Sequence, residues 1–286
     1  METALVPGLT ATGSKTTMIK SITADHLADE ALADLWLGLE RYDLWTAFAL
    51  HEIRQRFRRS LLGPFWLTAS MGVFVGALGL ISTTLFKQDV HLTLPYIATG
   101  VIFWGFLTSA INEGANCFIS REGYIRNVPL PVSVHLYQML MRNLIIWVFN
   151  MAIYVVVLLL FGINPGWSAL LFLVGGPIFL INAAWMGLVA GILSTRFRDI
   201  PQVIASLIQV VFFLTPIFWS TATMPNRPAF VTFNPLYHLL TIVRDPLLGE
   251  VPPADSWYVS IALALAGLLL AARLYQRAQP RIAYWV

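Results

Sequence analysis

The chain has 286 residues, is 57% hydrophobic and only 12% charged, and carries a net charge of +3. A soluble domain holds about 25% charged residues, so lipid is the solvent for much of this chain. The mild net charge gives no case for nucleic acid, and the lone Cys117 excludes an intrachain disulfide framework or a cysteine-rich metal site.

In chain order, residues 1–40 read as a cytoplasmic N-terminal tail. Its first stretch, METALVPGLTATGSKTTMIK, lacks the apolar core of a cleavable secretory signal. Gly8 to Thr16 nearly spells a phosphate-binding loop, but Ser14 separates the second glycine from Lys15 and no apolar strand precedes it. The polar tail is the better reading. Residues 41–60 read as an amphipathic helix lying flat at the membrane interface, with Leu50, Ile53 and Phe57 as its apolar stripe. Glu52, Gln55, Arg58 and Arg59 fall on the other side. A run of arginines (Arg54, Arg56, Arg58, Arg59) then leads directly into apolar sequence.

Six stretches reach the length of about 20 mostly apolar residues that a spanning helix requires. They lie at about Leu61–Phe86, Leu94–Ile119, Leu136–Phe161, Ala169–Thr195, Pro201–Trp219 and Trp257–Ala272. Gly72 with Gly76, and Gly187 with Gly191, have the spacing that permits close helix contact and read as packing. Between the fifth and sixth spans, about 220–256, a segment too apolar for a solvated loop reads as two short helices broken at Asn234-Pro235 in the outer mouth. Arginines fix the orientation. With both termini cytoplasmic, Arg54 to Arg59, Arg121, Arg126, Arg196, Arg198, Arg273, Arg277 and Arg281 lie inside, against Lys87, Arg227 and Arg244 outside. Residues 274–286 read as a cytoplasmic C-terminal tail. The fold class is therefore an all-α polytopic membrane protein with six transmembrane helices, an interface helix and short re-entrant outer helices.

No catalytic constellation is present. His51 and His135 lie inside, His91 and His238 outside, and no pair has metal-ligand spacing; no metal is expected. Two charges fall within spans, and charge at depth is usually paired. Glu113 is about six residues from the end of the second span and Arg142 about six residues into the third, which puts both roughly 9 Å deep at 1.5 Å per residue. They read as a structural Glu113–Arg142 pair; a relay would need further ionisable residues in line. Phe212, Phe213, Phe218 and Trp219 end the fifth span, and Trp257 and Tyr258 begin the sixth. They read either as an interfacial aromatic belt or as a lining on which sugar rings stack while sliding.

Four places together resemble the ABC-2 type polysaccharide exporter permeases, the Wzm-like membrane subunits that export O-antigen, capsule and teichoic acid. They are the basic helix leading into Ser60-Leu61-Leu62-Gly63-Pro64-Phe65-Trp66; the loop Arg121-Glu122-Gly123-Tyr124-Ile125-Arg126-Asn127-Val128-Pro129-Leu130-Pro131; Phe197-Arg198-Asp199-Ile200; and Thr215-Pro216-Ile217 followed by Asn234-Pro235 and Arg244. Val128 stands where the family often has Phe. The resemblance covers about Tyr42 to Trp285. It implies a homodimer in the bacterial inner membrane with two copies of a separate ATPase, which would hold the ATP and Mg; this chain would bind no cofactor and be no enzyme by itself. Arg121, Glu122, Tyr124, Arg126 and Pro129, within about 120–135, would couple to that ATPase. The implied substrate is a polysaccharide on undecaprenyl diphosphate. Arginine binds phosphate oxygens bidentately, so Arg54, Arg56, Arg58 and Arg59 are candidates for the headgroup, beside a lateral gate at Leu62 and Gly63. The same arginines equally suit anchoring to anionic lipid. The runner-up is an ABC-2 exporter of a small molecule or drug; a membrane enzyme or a scaffold fits less well.

Overall fold

The computed structural model describes residues 29–85, 87, 89–219 and 229–286. The near phosphate-binding loop at 8–16, Arg227 and part of the outer segment (220–228) lie outside the described residues. Every regular element among the described residues is helical. They are α1 (29–40), α2 (Tyr42–Arg56), α3 (Phe65–Leu85), α4 (Val90–Asn116), α5 (Glu122–Asn127), α6 (Ser133–Phe161), α7 (Phe172–Arg196), α8 (Ile200–Leu214), α9 (Ala229–Thr232), α10 (Pro235–Leu248) and α11 (Ala254–Trp285), with 3-10 turns at Ile119–Arg121 and Gly166–Leu171.

Among the described residues, five helices are long and apolar enough to cross a membrane: Phe65–Thr84, Val90–Asn116, Ser133–Phe161, Gly166–Arg196 and Ala254–Trp285. The central column is α4, which packs against α3, α6, α7, α8 and α10. Glycine lets α4 and α7 approach. A Cβ on Gly114 would lie 2.6 Å from the Gly187 Cα, and one on Gly191 would lie 2.8 Å from the Gly114 carbonyl oxygen. Side chains here would force the helices apart. The similar spacing at Gly72 and Gly76 serves otherwise: nothing lies within 4 Å of a Cβ at Gly76.

The stretch Pro201–Trp219 departs from the expectation of a full spanning helix. It is helical only in α8, whose 15 residues cover about 22 Å at 1.5 Å per residue, short of the ~30 Å apolar core of a bilayer. The cause is Pro216, which pushes Thr215 out of helical geometry, to φ −99° and ψ 131°. The irregular backbone that follows is buried and satisfied by side chains. The Pro216 carbonyl accepts from the Tyr96 hydroxyl (3.0 Å) and Arg244 Nη1 (3.0 Å), and the Phe218 carbonyl accepts from the Ser82 hydroxyl (3.0 Å). Non-helical backbone survives at membrane depth only when protein supplies such partners.

Residues 229–248 fold as α9 and α10, with the break at Phe233-Asn234. Asn234 caps α10 by accepting from the amides of Leu236 and Tyr237, and its side-chain amide donates to the Thr215 hydroxyl at 2.9 Å. The same residue thus starts one helix and ties it to the break in another.

Both expected tails contain folded structure. Residues 29–40 form α1, and Asp34 on it is buried. Its carboxylate accepts from the backbone amides of Val132 (3.0 Å) and Ser133 (3.1 Å) and from the Tyr275 hydroxyl (2.6 Å). An acidic group there satisfies the free N–H groups that open α6 and complements its dipole. Residues 274–286 are not a separate tail, because α11 runs on to Trp285 and buries Tyr275, Ala278, Ile282 and Val286 at successive helical turns.

Candidate functional site: a charged cavity at the arginine-rich end

The arginine-rich segments converge at one end of the bundle. Arg121 reaches Glu52 on α2, Arg126 donates to the Val286 carbonyl, and Arg198 donates to the Trp285 carbonyl at 3.1 Å. At the other end, a hydroxyl on Tyr154 donates to the Leu247 carbonyl at 2.8 Å, and Gly249 lies against Asn164 and Pro165.

At the arginine-rich end a polar cavity of about 510 Å³ opens between α2, α4 and α6. Its floor is an ion-pair network. Arg142 lies 2.5 Å from Glu113 and also pairs with Glu52. Glu52 pairs with Arg121 at 2.8 Å and accepts from the Gln138 side-chain amide at 2.9 Å. Glu113 and Arg142 were both visible in the sequence as charges within spans. Glu52 was not. The expected stripe put Glu52 on the outward face, whereas α2 turns Trp45, Phe48, Ala49, Glu52 and Ile53 inward, where it packs on α6. Carboxylate pairing with two guanidinium groups outweighs the preference of an isolated carboxylate for water.

The arginine run divides. Arg56 lines this cavity and also a second one of about 380 Å³ between α3, α4 and α6, which shares Glu113 with the first. Among the described residues no carboxylate pairs with Arg56. All four arginines are exposed, and Arg54, Arg58 and Arg59 line neither cavity. Arg142 Nε, His135 Nδ1, Trp147 Nε1 and Asn150 Oδ1 are buried without a hydrogen-bond partner among the described residues, and all four residues line these two cavities. Buried polar atoms of that kind are costly unless something polar meets them. Cys117 lines the first cavity too, as a buried wall residue.

Between α2 and α3 the chain turns sharply. Arg59 has φ 74° and Gly63 φ 55°. The Gly63 amide donates to the Ser60 hydroxyl at 3.1 Å, and nothing lies within 4 Å of a Cβ at Gly63. Glycine is there for its backbone, not for space. Leu61, Leu62, Phe65 and Trp66 are exposed around this turn.

Along 121–131, Glu122, Tyr124, Arg126 and Pro129 are exposed, and Arg126 pairs with Glu122 at 3.0 Å. The six aromatic candidates do not form one set. Phe212, Phe213 and Phe218 meet at centroid distances of 5.5 to 5.9 Å. Trp219 neighbours Phe230 at 6.2 Å, Trp257 lies against Gly175 on α7, and Tyr258 is exposed. Of the histidines, His238 is held by the Ser256 hydroxyl (2.9 Å) and the Thr232 carbonyl (2.8 Å). Among the described residues no group of three or more His, Cys, Asp or Glu stands ready to hold a metal.

Comparison with known proteins places the chain. Residues 44–248 match the family model described as ABC-2 type transporter. An O-antigen export system permease protein RfbA of Klebsiella pneumoniae is 24% identical over 238 residues, covering 80% of this chain and 88% of its own length. The protein of the same name from Myxococcus xanthus is 22% identical over 232 residues, covering 80% and 89%. The match takes in the cavity, the arginine run and the segment 121–131 alike, and the chain belongs to the ABC-2 type transporter family.

Proposed function

We propose that this chain is the membrane subunit of an ATP-driven exporter in the bacterial inner membrane. It moves a polysaccharide carried on undecaprenyl diphosphate, such as O-antigen, from the cytoplasm to the outer side. The family and the names of the relatives support the transport class and the cargo. The observation that carries the cargo reading is Arg56, a guanidinium with no carboxylate partner among the described residues, lining a polar cavity where α2 meets the first span. A diphosphate leaving the lipid interface needs such a cation, while the exposed apolar turn 61–66 keeps the lipid tail in the bilayer.

On this reading α8 and the irregular stretch 215–219 together make the fifth of six crossings, and both termini are cytoplasmic. Arg54, Arg58 and Arg59 anchor α2 at the inner leaflet, and Arg56 meets the headgroup. Two copies of the chain assemble with two copies of a separate ATPase, which holds ATP and Mg. The exposed side chains of Glu122, Tyr124, Arg126 and Pro129 form the docking face, and α9 and α10 form the outer gate. The cluster Phe212, Phe213 and Phe218 offers ring faces over which sugars slide without fixed register.

The test is reconstitution with the partner ATPase in liposomes. Lipid-linked glycan stimulates ATP hydrolysis, and Arg56→Gln abolishes that stimulation with the amount of assembled complex unchanged. Full stimulation of the Arg56→Gln complex sinks the headgroup role. Stimulation by small amphipathic drugs in place of glycan moves the cargo to the small-molecule reading.

A further inference from the structure

We infer that Arg121 serves two sites at once, the substrate cavity and the ATPase-coupling segment, and that this shared cation ties headgroup affinity to the state of the ATPase. The inference rests on the reading just given, in which a diphosphate enters the cavity and the ATPase docks at 121–131.

Arg121 closes the 3-10 turn Ile119–Arg121 and stands directly before α5. Its guanidinium reaches back to Glu52 at 2.8 Å. From one side it lines the 510 Å³ cavity. From the other it lines a separate cavity of about 230 Å³, together with His51, Gln55 and Tyr124. The Arg121–Glu52 pair is therefore the wall between them. It is also the loosest member of the network. Arg121 is 27% exposed, whereas Arg142 is 13% exposed and held by two carboxylates on long helices. A displacement of α5 moves Arg121 first.

The charge count gives that displacement a consequence. The cavity is lined by the guanidinium groups of Arg56, Arg121 and Arg142 against the carboxylates of Glu52 and Glu113, one net positive charge. With Arg121 withdrawn, Arg142 still serves both carboxylates and Arg56 is left as the balancing cation, so the cavity is neutral. A diphosphate prefers the first state. A unit charge about 10 Å away at an effective dielectric near 20 changes the affinity for even one negative charge by about tenfold. Coupling of this kind is reciprocal. Headgroup binding draws the segment 121–131 toward the cavity, and engagement of that segment by the ATP-bound partner releases the headgroup. The same cation that helps load the substrate is removed in the step that must let it go.

The experiment uses the full complex with its ATPase in nanodiscs and a fluorescent polyprenyl diphosphate without glycan as the probe. Affinity is measured without nucleotide and with ATP trapped on a hydrolysis-deficient partner. The native complex is expected to lose about tenfold in affinity on trapping. Arg121→Gln binds weakly in both states and loses the nucleotide dependence, while Arg121→Lys keeps it. Glu52→Gln, which removes a negative charge from the wall, binds more tightly than the native complex without nucleotide; misfolding does not produce that sign. A native nucleotide dependence in Arg121→Gln, or weaker binding in Glu52→Gln, overturns the role of Arg121 and leaves the cargo reading standing. Failure of the native complex to bind the probe at all overturns both.

Discussion

Removing Arg142 isolates the network that holds the cavity together. Its side chain is 13% exposed and pairs with Glu113 at 2.5 Å and with Glu52. Arg142→Gln leaves two carboxylates, each about one-third exposed, facing the same pocket, with Arg121 paired to Glu52 and Arg56 on the lining but paired with neither. Breaking a fully buried pair costs about 3–5 kcal/mol, and an exposed one about 0–1 kcal/mol. The intermediate burial here sets the expected loss at about 3 kcal/mol. At about 2–4 °C per kcal/mol for chains of this size, the apparent unfolding midpoint of the detergent-purified protein falls by about 6–12 °C. The triple variant Glu52→Gln, Glu113→Gln, Arg142→Gln removes both the charge and its partners, so it recovers most of that loss, since what costs is the uncompensated carboxylate. An Arg142→Gln protein as stable as the native one refutes the argument. So does a triple variant less stable than the single one.

Asp34→Ala removes the acceptor for two amides and the Tyr275 hydroxyl, with an expected loss of about 3 kcal/mol, while Tyr275→Phe costs about 1 kcal/mol; equal midpoints for the two variants contradict the capping role of Asp34. Gly187→Ala places a Cβ 2.8 Å from the Ala110 carbonyl oxygen and destabilises by about 1–3 kcal/mol or more, whereas Gly76→Ala, with open space around it, is neutral or stabilising by up to about 1 kcal/mol; thermal unfolding separates them. Gly63→Ala forces a non-glycine residue to φ 55° and costs about 1 kcal/mol, while Arg59→Gly relieves φ 74° and stabilises; the same sign for both variants removes backbone strain as a feature of this turn.

The spanning helices were legible because lipid leaves the chain little choice: long apolar runs closed by arginine or by Gly-Pro must satisfy their backbone internally. What escaped the sequence was decided by partners distant in the chain. Glu52 sits on α2 among residues whose periodicity suits either of two faces, and only Arg121 and Arg142, 69 and 90 positions away, decide which face turns inward. The break at Pro216 was visible as a motif, but a long apolar run concealed that the helix stops there. Helix α1 offered a weak signal in Ala31, Asp34, Leu35 and Gly38, a stripe at helical spacing with a charge in the middle. A cap that acts across 98 residues of sequence has no local signature.

The parts outside the family match explain why the segment 121–131 is firm where it enters α6 and looser at Arg121. The match covers residues 44–248, so α1 and α11 lie beyond it. Those two helices grip the segment from either side. Asp34 on α1 fixes the Val132 and Ser133 amides, where the segment enters α6, and Tyr275 on α11 holds Asp34 in turn. Further along α11, the Val286 carbonyl receives Arg126, and the Trp285 ring lies under Arg196 at 5.7 Å. A push on α5 therefore meets buried, charge-assisted Asp34 contacts at the first turn of α6 and a more exposed Arg126 contact at the end of α11. The compliant contact on the cavity side is the partly exposed Arg121–Glu52 pair. On the proposed reading, force from the ATPase is spent where it changes the charge facing the substrate.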